Sequence, residues 1–128
     1  MIRLRYLCLG LNDLNGTIPR SIGSLTKLWH LDLSDNSLYG IIPLEFGNLT
    51  NLQVINLGSL GKCRVWNLEW LSHLSHLEAL KMDGISLAKQ NYWIGVILSL
   101  RKLSSLSLDV CELSQVMYPY SSSFLNSS

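Results

Sequence analysis

The sequence lacks an excess of charge of either sign. Its 128 residues contain ten lysines and arginines and nine aspartates and glutamates, which gives a formal net charge of +1 at pH 7. Electrostatic binding to nucleic acid or to an anionic membrane surface relies on a basic patch and a net positive charge. The composition therefore argues against both kinds of partner.

Long hydrophobic runs are also missing. The uncharged apolar stretch 92–100 is far shorter than the roughly 20 residues that a membrane-spanning helix needs. No apolar segment of about 7 to 15 residues follows the first arginines. We therefore expect neither a signal peptide nor a membrane helix within this chain.

Cysteine is scarce and odd in number. Cys8, Cys63 and Cys111 form neither a disulfide framework nor a zinc signature. We expect Cys8 to face outward from a strand and Cys111 to be a buried thiol. A bridge between Cys8 and Cys63 is not expected, because the repeat described below separates them by about 10 Å.

Catalytic constellations are absent from the sequence. His30 with Asp32, and His73 with His76, have neither the further ligands nor the nucleophile that a metal site or a triad requires. The segment 58–62 has too few residues between its glycines for a phosphate-binding loop. We predict no enzymatic activity, no cofactor and no metal site.

What the chain does contain is an internal repeat of 24 residues. Residues 4–27 and 28–51 both follow the pattern L-x-x-L-x-L-x-x-N-x-L-x-G-x-I-P-x-x-Φ-G-x-L-x-x, in which Φ is apolar. This leucine and asparagine spacing, at a period of about 20 to 29 residues, is typical of a leucine-rich-repeat solenoid.

Three looser units follow, opening at Leu52, Leu77 and Leu103. They keep L-x-x-L-x-L but lose the second half of the pattern, since none has the G-x-I-P segment. Leu60, Ile85 and Cys111 stand at their asparagine positions. The predicted organisation is a solenoid over 1–117, with repeats starting near residues 4, 28, 52, 77 and 103, and a serine-rich tail over 118–128.

The pattern of a single repeat predicts a short strand followed by a turn. The last two leucines of L-x-x-L-x-L are two apart, so both point to the core from one short strand per repeat. Asn12 and Asn36 are expected to staple the turns after the strands, because an amide side chain both donates and accepts hydrogen bonds. The predicted fold class is an α/β-type, right-handed leucine-rich-repeat superhelix with a parallel strand in each of about five repeats and no caps.

The outward residues of the strands, which form the concave face, are the expected binding surface, because solenoids use such faces for partners. The candidate ligand-facing residues are Tyr6, Trp29, His30, Asp32, Asp35, Asn56, Lys81 and Asp83. Trp66, Trp70 and Trp93 are instead expected to fill the interior beside the longer connections. Three N-x-S/T sequons place candidate glycosylation sites at Asn15, Asn48 and Asn126, away from the strand face.

These motifs resemble a known family. The G-x-I-P half-repeats at 16–19 and 40–43 look like the plant extracellular type of leucine-rich repeat. The block Asn67-Leu-Glu-Trp-Leu-Ser-His-Leu74, followed by Trp93, resembles plant receptor-like proteins of the disease-resistance kind. The resemblance implies an ectodomain on the extracellular side of the plasma membrane that senses peptide or protein ligands and works with co-receptor kinases. A membrane anchor would lie outside this chain.

The predicted function is therefore ligand recognition by the concave face of a truncated receptor-like ectodomain in defence or developmental signalling. Two alternatives stay open. One is a secreted inhibitor of cell-wall-degrading enzymes, similar to the polygalacturonase-inhibiting proteins, although the irregular later repeats argue against it. The other is a gene fragment without function.

Overall fold

A computed structural model describes residues 3–60, 62–109 and 111–112 of the chain. Successive turns of the chain stack as a solenoid, and each of five turns begins with a three-residue strand. In chain order the strands are β1 (Tyr6–Cys8), β2 (Asn15–Thr17), β3 (His30–Asp32), β4 (Ser37–Ile41), β5 (Val54–Asn56), β6 (Lys62–Arg64), β7 (Ala79–Lys81) and β8 (Ser105–Ser107). The predicted solenoid with one parallel strand per repeat is confirmed.

The larger sheet contains five parallel strands in the order β1-β3-β5-β7-β8. Tyr6 lies opposite His30, His30 opposite Val54, Val54 opposite Ala79, and Ala79 opposite Ser105. Equivalent residues are thus 24, 24, 25 and 26 positions apart along the chain. The central residue of each strand faces the core, because side chains alternate along a strand. We call the opposite side of this sheet the strand face.

A second sheet was not expected. Strands β2, β4 and β6 pair in parallel on another side of the solenoid. The third repeat lacks the G-x-I-P segment, and Lys62–Arg64 nevertheless forms β6. Backbone pairing needs no particular side chain, and here only the central residue of the strand, Cys63, is buried.

Each of the first three turns closes with a short 3-10 helix. These helices span Arg20–Ser24, Leu44–Asn48 and Glu69–His73, and the fourth turn instead contains helix α1 (Trp93–Leu98). Pro19 and Pro43 precede the first two, with φ values of −66° and −61° that suit a proline at a helix start. Gly23 sits where a Cβ atom would lie 2.6 Å from the backbone of Glu45, so glycine lets adjacent turns approach closely.

The core is one elongated line of leucine and isoleucine side chains. Leu31, Ile55 and Leu80, the central residues of β3, β5 and β7, are at most 2% exposed. Trp70 fills the interior as predicted and packs edge-on against Phe46 at 5.9 Å between ring centroids. Trp93 is half-buried against the core, but Trp66 is 70% exposed, so the prediction that it fills the interior is wrong.

The asparagine staple is confirmed at Asn36. Its side-chain Nδ2 donates to the carbonyl oxygens of Leu9, Leu33 and Ser34, and its Oδ1 accepts from the backbone N–H groups of Asn12 and Leu14. The side chain thereby joins two consecutive turns. Asn12 does much less, because it is exposed and its Nδ2 donates only to the carbonyl of Gly10.

Cysteine replaces asparagine at the same position of the fifth repeat. The Sγ of Cys111 donates to the carbonyl of Met82 at 3.1 Å, as Asn36 donates to the equivalent residue of its preceding turn. Burial raises the pKa of the Cys111 thiol and raises the pKa of the Cys63 thiol to about 11. Cys8 is exposed, as expected, and all three cysteines are free.

Candidate functional site

The strand face carries three aromatic rings at one end. Tyr6 opens β1, His30 lies opposite it in β3, and Trp29 immediately precedes His30. The ring of Tyr6 lies 4.8 Å from that of Trp29 and 5.6 Å from that of His30, measured between centroids. Tyr6 is 52% exposed and the other two are half-buried. We call this group the aromatic cluster.

Backbone pairing fixes the aromatic cluster. The N–H groups of Trp29 and His30 both donate to the carbonyl of Arg5, at 2.9 and 3.1 Å. The carbonyl of Trp29 in turn accepts from the N–H groups of Gln53 and Val54. Strand pairing holds the backbone of the cluster, and the rings pack on one another, so they lose less conformational freedom when a ligand packs on them.

A polar pocket adjoins the aromatic cluster at the edge where the strands begin. It has a volume of about 450 Å³. Its lining residues are Arg5, Lys27, Trp29, Asn51, Gln53 and His76. Two of them are permanent cations and none is acidic, so the pocket suits an anionic group such as a carboxylate. We call it the edge pocket.

The repeat creates the edge pocket by stacking equivalent positions. Asn51 and His76 both stand three residues before a strand, and each contacts the carbonyl of the threonine in the preceding turn. Nδ2 of Asn51 donates to Thr26 at 3.0 Å, and Nδ1 of His76 lies 3.0 Å from the carbonyl oxygen of Thr50. That contact leaves Nε2 of His76 as the nitrogen available to a ligand.

Trp29 has an unsatisfied polar atom at this site. Its indole Nε1 is buried and has no hydrogen-bond partner among the described residues. A buried donor without a partner costs free energy, because it has lost its water without gaining a replacement. Because this atom is buried, a ligand acceptor in the edge pocket would reach it only after a movement of the indole.

The middle of the strand face is a shallow groove. It has a volume of about 210 Å³ and runs over small side chains of β5, β7 and β8, including Ala79, Ser105 and Ser107. The small outward side chains of Ala79, Ser105 and Ser107 leave room there for a ligand backbone. Asn56 and Lys81 border the groove.

Several of the polar candidate residues at the edge where the strands end already form hydrogen bonds within the protein. Asp32 Oδ1 accepts from the N–H and hydroxyl of Ser34 at 2.9 and 2.6 Å, and Asn56 accepts from the N–H of Gly58 in the same way. Such contacts stabilise the turn after a strand. Asp35 is exposed in the left-handed region, with φ of 56°.

Asp83 is the most constrained of these acids. Its Oδ1 accepts from the Ser107 hydroxyl at 2.6 Å and from the N–H of Asp109 at 2.8 Å, and its Oδ2 lies 3.7 Å from Lys81 Nζ. Partial burial raises the pKa of Asp83, but the Ser107, Asp109 and Lys81 contacts together outweigh it, so that the pKa lies below its usual value. This group ties β7 to β8.

The eight candidate residues thus separate into three zones. Tyr6, Trp29 and His30 form one cluster, Asn56 and Lys81 line the groove, and Asp32, Asp35 and Asp83 lie towards the far edge. Sequence reasoning missed the edge pocket, although its signal was present. Arg5 and Gln53 stand one residue before a strand, and Lys27 stands three before, so alignment of the repeats places them together.

The candidate glycosylation sites lie off the strand face where the structure describes them. Asn15 is exposed in β2, with its Oδ1 2.7 Å from the N–H of Gly16, and Asn48 is exposed at the end of a 3-10 helix. Asn126 lies outside the described residues. Within residues 3–60, 62–109 and 111–112, no group of three or more histidine, cysteine or acidic side chains could hold a metal ion. No helix among the described residues is long and apolar enough to cross a membrane.

Sequence comparison agrees with the fold. The family model "Leucine Rich Repeat" matches residues 3–25 and 27–49. The chain therefore has the leucine-rich-repeat fold, and its sequence is similar to that of a plant receptor-like protein. The receptor-like protein EIX1 of Solanum lycopersicum is 40% identical over 126 residues, which cover 98% of this chain and 12% of that protein. The chain therefore spans about an eighth of the length of this curated relative.

Solved structures of plant receptor kinases are similar in fold. The Arabidopsis receptor kinase HAESA, in complex with the peptide hormone IDA and the co-receptor SERK1, superposes with a TM-score of 0.69 and 30% identity, covering 82% of this chain and 17% of that chain. The ectodomain of the receptor kinase SOBIR1 from Arabidopsis thaliana gives a TM-score of 0.63 and 25% identity, covering 91% of this chain and 61% of that chain.

Proposed function

We propose that the chain is part of a plant receptor-like ectodomain and binds an extended peptide segment along its strand face. The main support for this proposal is that the aromatic cluster lies beside the cationic edge pocket and that the groove over β5, β7 and β8 extends the same face. Aromatic rings and arginine are the side chains that most often supply binding energy at interfaces. The complex of HAESA with a peptide hormone supports this use of the fold.

The geometry limits the ligand. Five strands about 4.8 Å apart span roughly 19 Å, which an extended peptide of about six residues covers. We expect an aromatic or branched apolar side chain on the aromatic cluster and a carboxylate in the edge pocket. Small side chains would lie over the groove.

Selection from a phage-displayed library of linear peptides tests this proposal. Panning on the 128-residue chain should enrich an apolar residue next to an acidic residue or a free carboxyl terminus. The double variant Trp29→Ala, Lys27→Glu should lose at least about tenfold in affinity for the selected peptides, since it removes one anchor and reverses one charge.

Lys102→Glu is the matched control. Lys27 stands three residues before β3, and Lys102 stands three residues before β8, three strands away, so the charge change is identical but lies outside the edge pocket. Its binding should stay within about twofold of the unchanged chain. An equal loss of peptide affinity in both variants, or a selection that enriches no motif, would refute the proposed binding site.

The cellular setting and glycosylation are further parts of this proposal. By analogy with its relatives, the parent protein would display this surface outside the plasma membrane, signal in defence or development, and work with a co-receptor kinase. Asn15 and Asn48 would carry N-glycans. Expression through a plant secretory pathway should add mass that an endoglycosidase removes, and Asn15→Gln and Asn48→Gln should each remove one glycan. An unchanged mass would contradict the assignment.

A further inference from the structure

The smaller sheet ends abruptly at β6. Strand β4 pairs with β2 on one side and β6 on the other, but no strand of the described residues pairs with the far edge of β6. The next turn contributes α1 and irregular chain there. Open edges of this kind are places where a further strand can add.

The orientation of the backbone groups shows which of them face the open edge. The carbonyl of Arg64 accepts from the N–H of Ile42 at 2.8 Å, so Arg64 presents its backbone groups to β4. Peptide groups alternate along a strand, and those of Cys63 and Val65 therefore face away from β4. The N–H of Cys63 donates to Leu60, but within the described chain no backbone hydrogen bond uses the Cys63 carbonyl or either group of Val65.

A groove of about 460 Å³ runs beside this open edge, between it and the next turn. Ile41, Val65, Trp66 and Ala88 supply its apolar lining, and Arg64 and Lys89 lie among them. Trp66 is 70% exposed and Ile41 is 43% exposed, which is unusual for side chains of this size. We call this the lateral groove.

The charged residues of the lateral groove indicate which class of ligand fits it. Arg64 and Lys89 line the lateral groove, no acidic residue lines it, and Lys62 is exposed on the same strand. An oligosaccharide could stack on Trp66, but a neutral sugar offers no negative charge to the two cations and no regular strand pairing to the backbone groups. An extended peptide with alternating apolar and acidic side chains matches all three features.

We infer that the open edge of β6 binds an acidic, apolar peptide segment of a partner protein as an added strand. The peptide backbone would donate to the Cys63 carbonyl and accept from the Val65 N–H. Its apolar side chain would contact Trp66 and Ile41, and its carboxylates would pair with Arg64 and Lys89. This surface is separate from the strand face, so the inference does not depend on the ligand proposed there.

The capped peptide acetyl-Glu-Val-Leu-Val-Asp-amide is a suitable probe for titration of the isotope-labelled 128-residue chain, followed by nuclear magnetic resonance. We expect shifts of the Val65 amide and the Trp66 indole signals, and slower hydrogen exchange of the Val65 amide. The double variant Arg64→Glu, Lys89→Glu should weaken binding by at least about tenfold. Lys102→Glu, which reverses an exposed charge outside the lateral groove, should bind unchanged and show that the fold tolerates charge reversal.

Two further titrations distinguish backbone pairing with β6 from contact through side chains alone. The same peptide with a methylated central amide keeps its side chains but cannot pair fully, and it should lose most of its binding. Equal binding of the methylated peptide would overturn strand addition. Shifts produced by cellotetraose and not by the peptide would also overturn it in favour of a sugar site, as would the absence of any shift up to the solubility limit of the peptide.

Discussion

Replacing Asn36 by alanine should be among the most damaging single changes to this solenoid outside its apolar core. Its side chain takes part in five hydrogen bonds of 2.8 to 3.1 Å, and three of them connect it to the preceding turn. A protein hydrogen bond contributes about 1 kcal/mol net, and three of these share one amide nitrogen. We therefore expect a loss of about 3 kcal/mol in the free energy of unfolding.

Asn12→Ala provides an internal comparison, because Asn12 occupies the same position in the preceding repeat. It is exposed and its side chain makes one hydrogen bond of 3.1 Å. Its replacement should cost about 0.5 kcal/mol. Asn36→Cys should fall between the two, since the thiol at Cys111 shows that one donor can still reach the carbonyl of the preceding turn.

Urea denaturation followed by circular dichroism measures the difference. With a slope of about 1.5 to 2 kcal/mol per molar, a loss of 3 kcal/mol lowers the midpoint by about 1.5 to 2 M, whereas Asn12→Ala should lower it by about 0.3 M. Equal shifts for the two alanine variants would refute the reasoning, because they would show that position in the repeat, and not the observed bonding, decides the cost.

Three other predictions follow from the packing and the titrating groups. Gly23→Ala should destabilise by about 2 kcal/mol in the same assay, since its Cβ would meet the neighbouring 3-10 helix at 2.6 Å, and a neutral outcome would show that the turns can separate. The folded-state pKa of Asp83 is depressed, so its stabilising contribution is present above the usual carboxylate pKa of about 4 and lost as pH falls below it. Asp83→Asn should flatten acid unfolding in that range, and an unchanged profile would contradict the assignment. Iodoacetamide at about pH 8 should label Cys8 alone, whereas Cys63 and Cys111 should react only after denaturation; mass spectrometry would detect any earlier labelling that contradicts this.

The sequence predicts most of the strand face because the strands repeat. Two leucines two residues apart determine which side chains of a strand point inward, so the outward positions of Tyr6, His30 and Asp32 follow directly. The asparagine staple is also predictable, since an amide at that turn satisfies backbone donors and acceptors at once. Its unequal strength at Asn12 and Asn36 is not predictable from the motif, because it depends on which neighbouring turn each side chain contacts.

Other features depend on contacts between turns that one repeat does not encode. β6 forms without the G-x-I-P segment because pairing with β4 provides the hydrogen bonds. Trp66 was expected in the core because it lies in one of the longer connections, but it stands two residues after the end of β6 at the open edge, where no further strand of the described residues covers it. The functional importance of the candidate ligand-facing residues stays a prediction.

The unequal spacing of the strands has a consequence for how such a chain can change. Equivalent residues stay opposite one another although 24, 24, 25 or 26 positions separate them along the chain. Added residues are therefore absorbed in the connections, and insertions there leave the order of the binding positions undisturbed. The connections can therefore vary in length while the strand face varies by substitution, and neither kind of change disturbs the other.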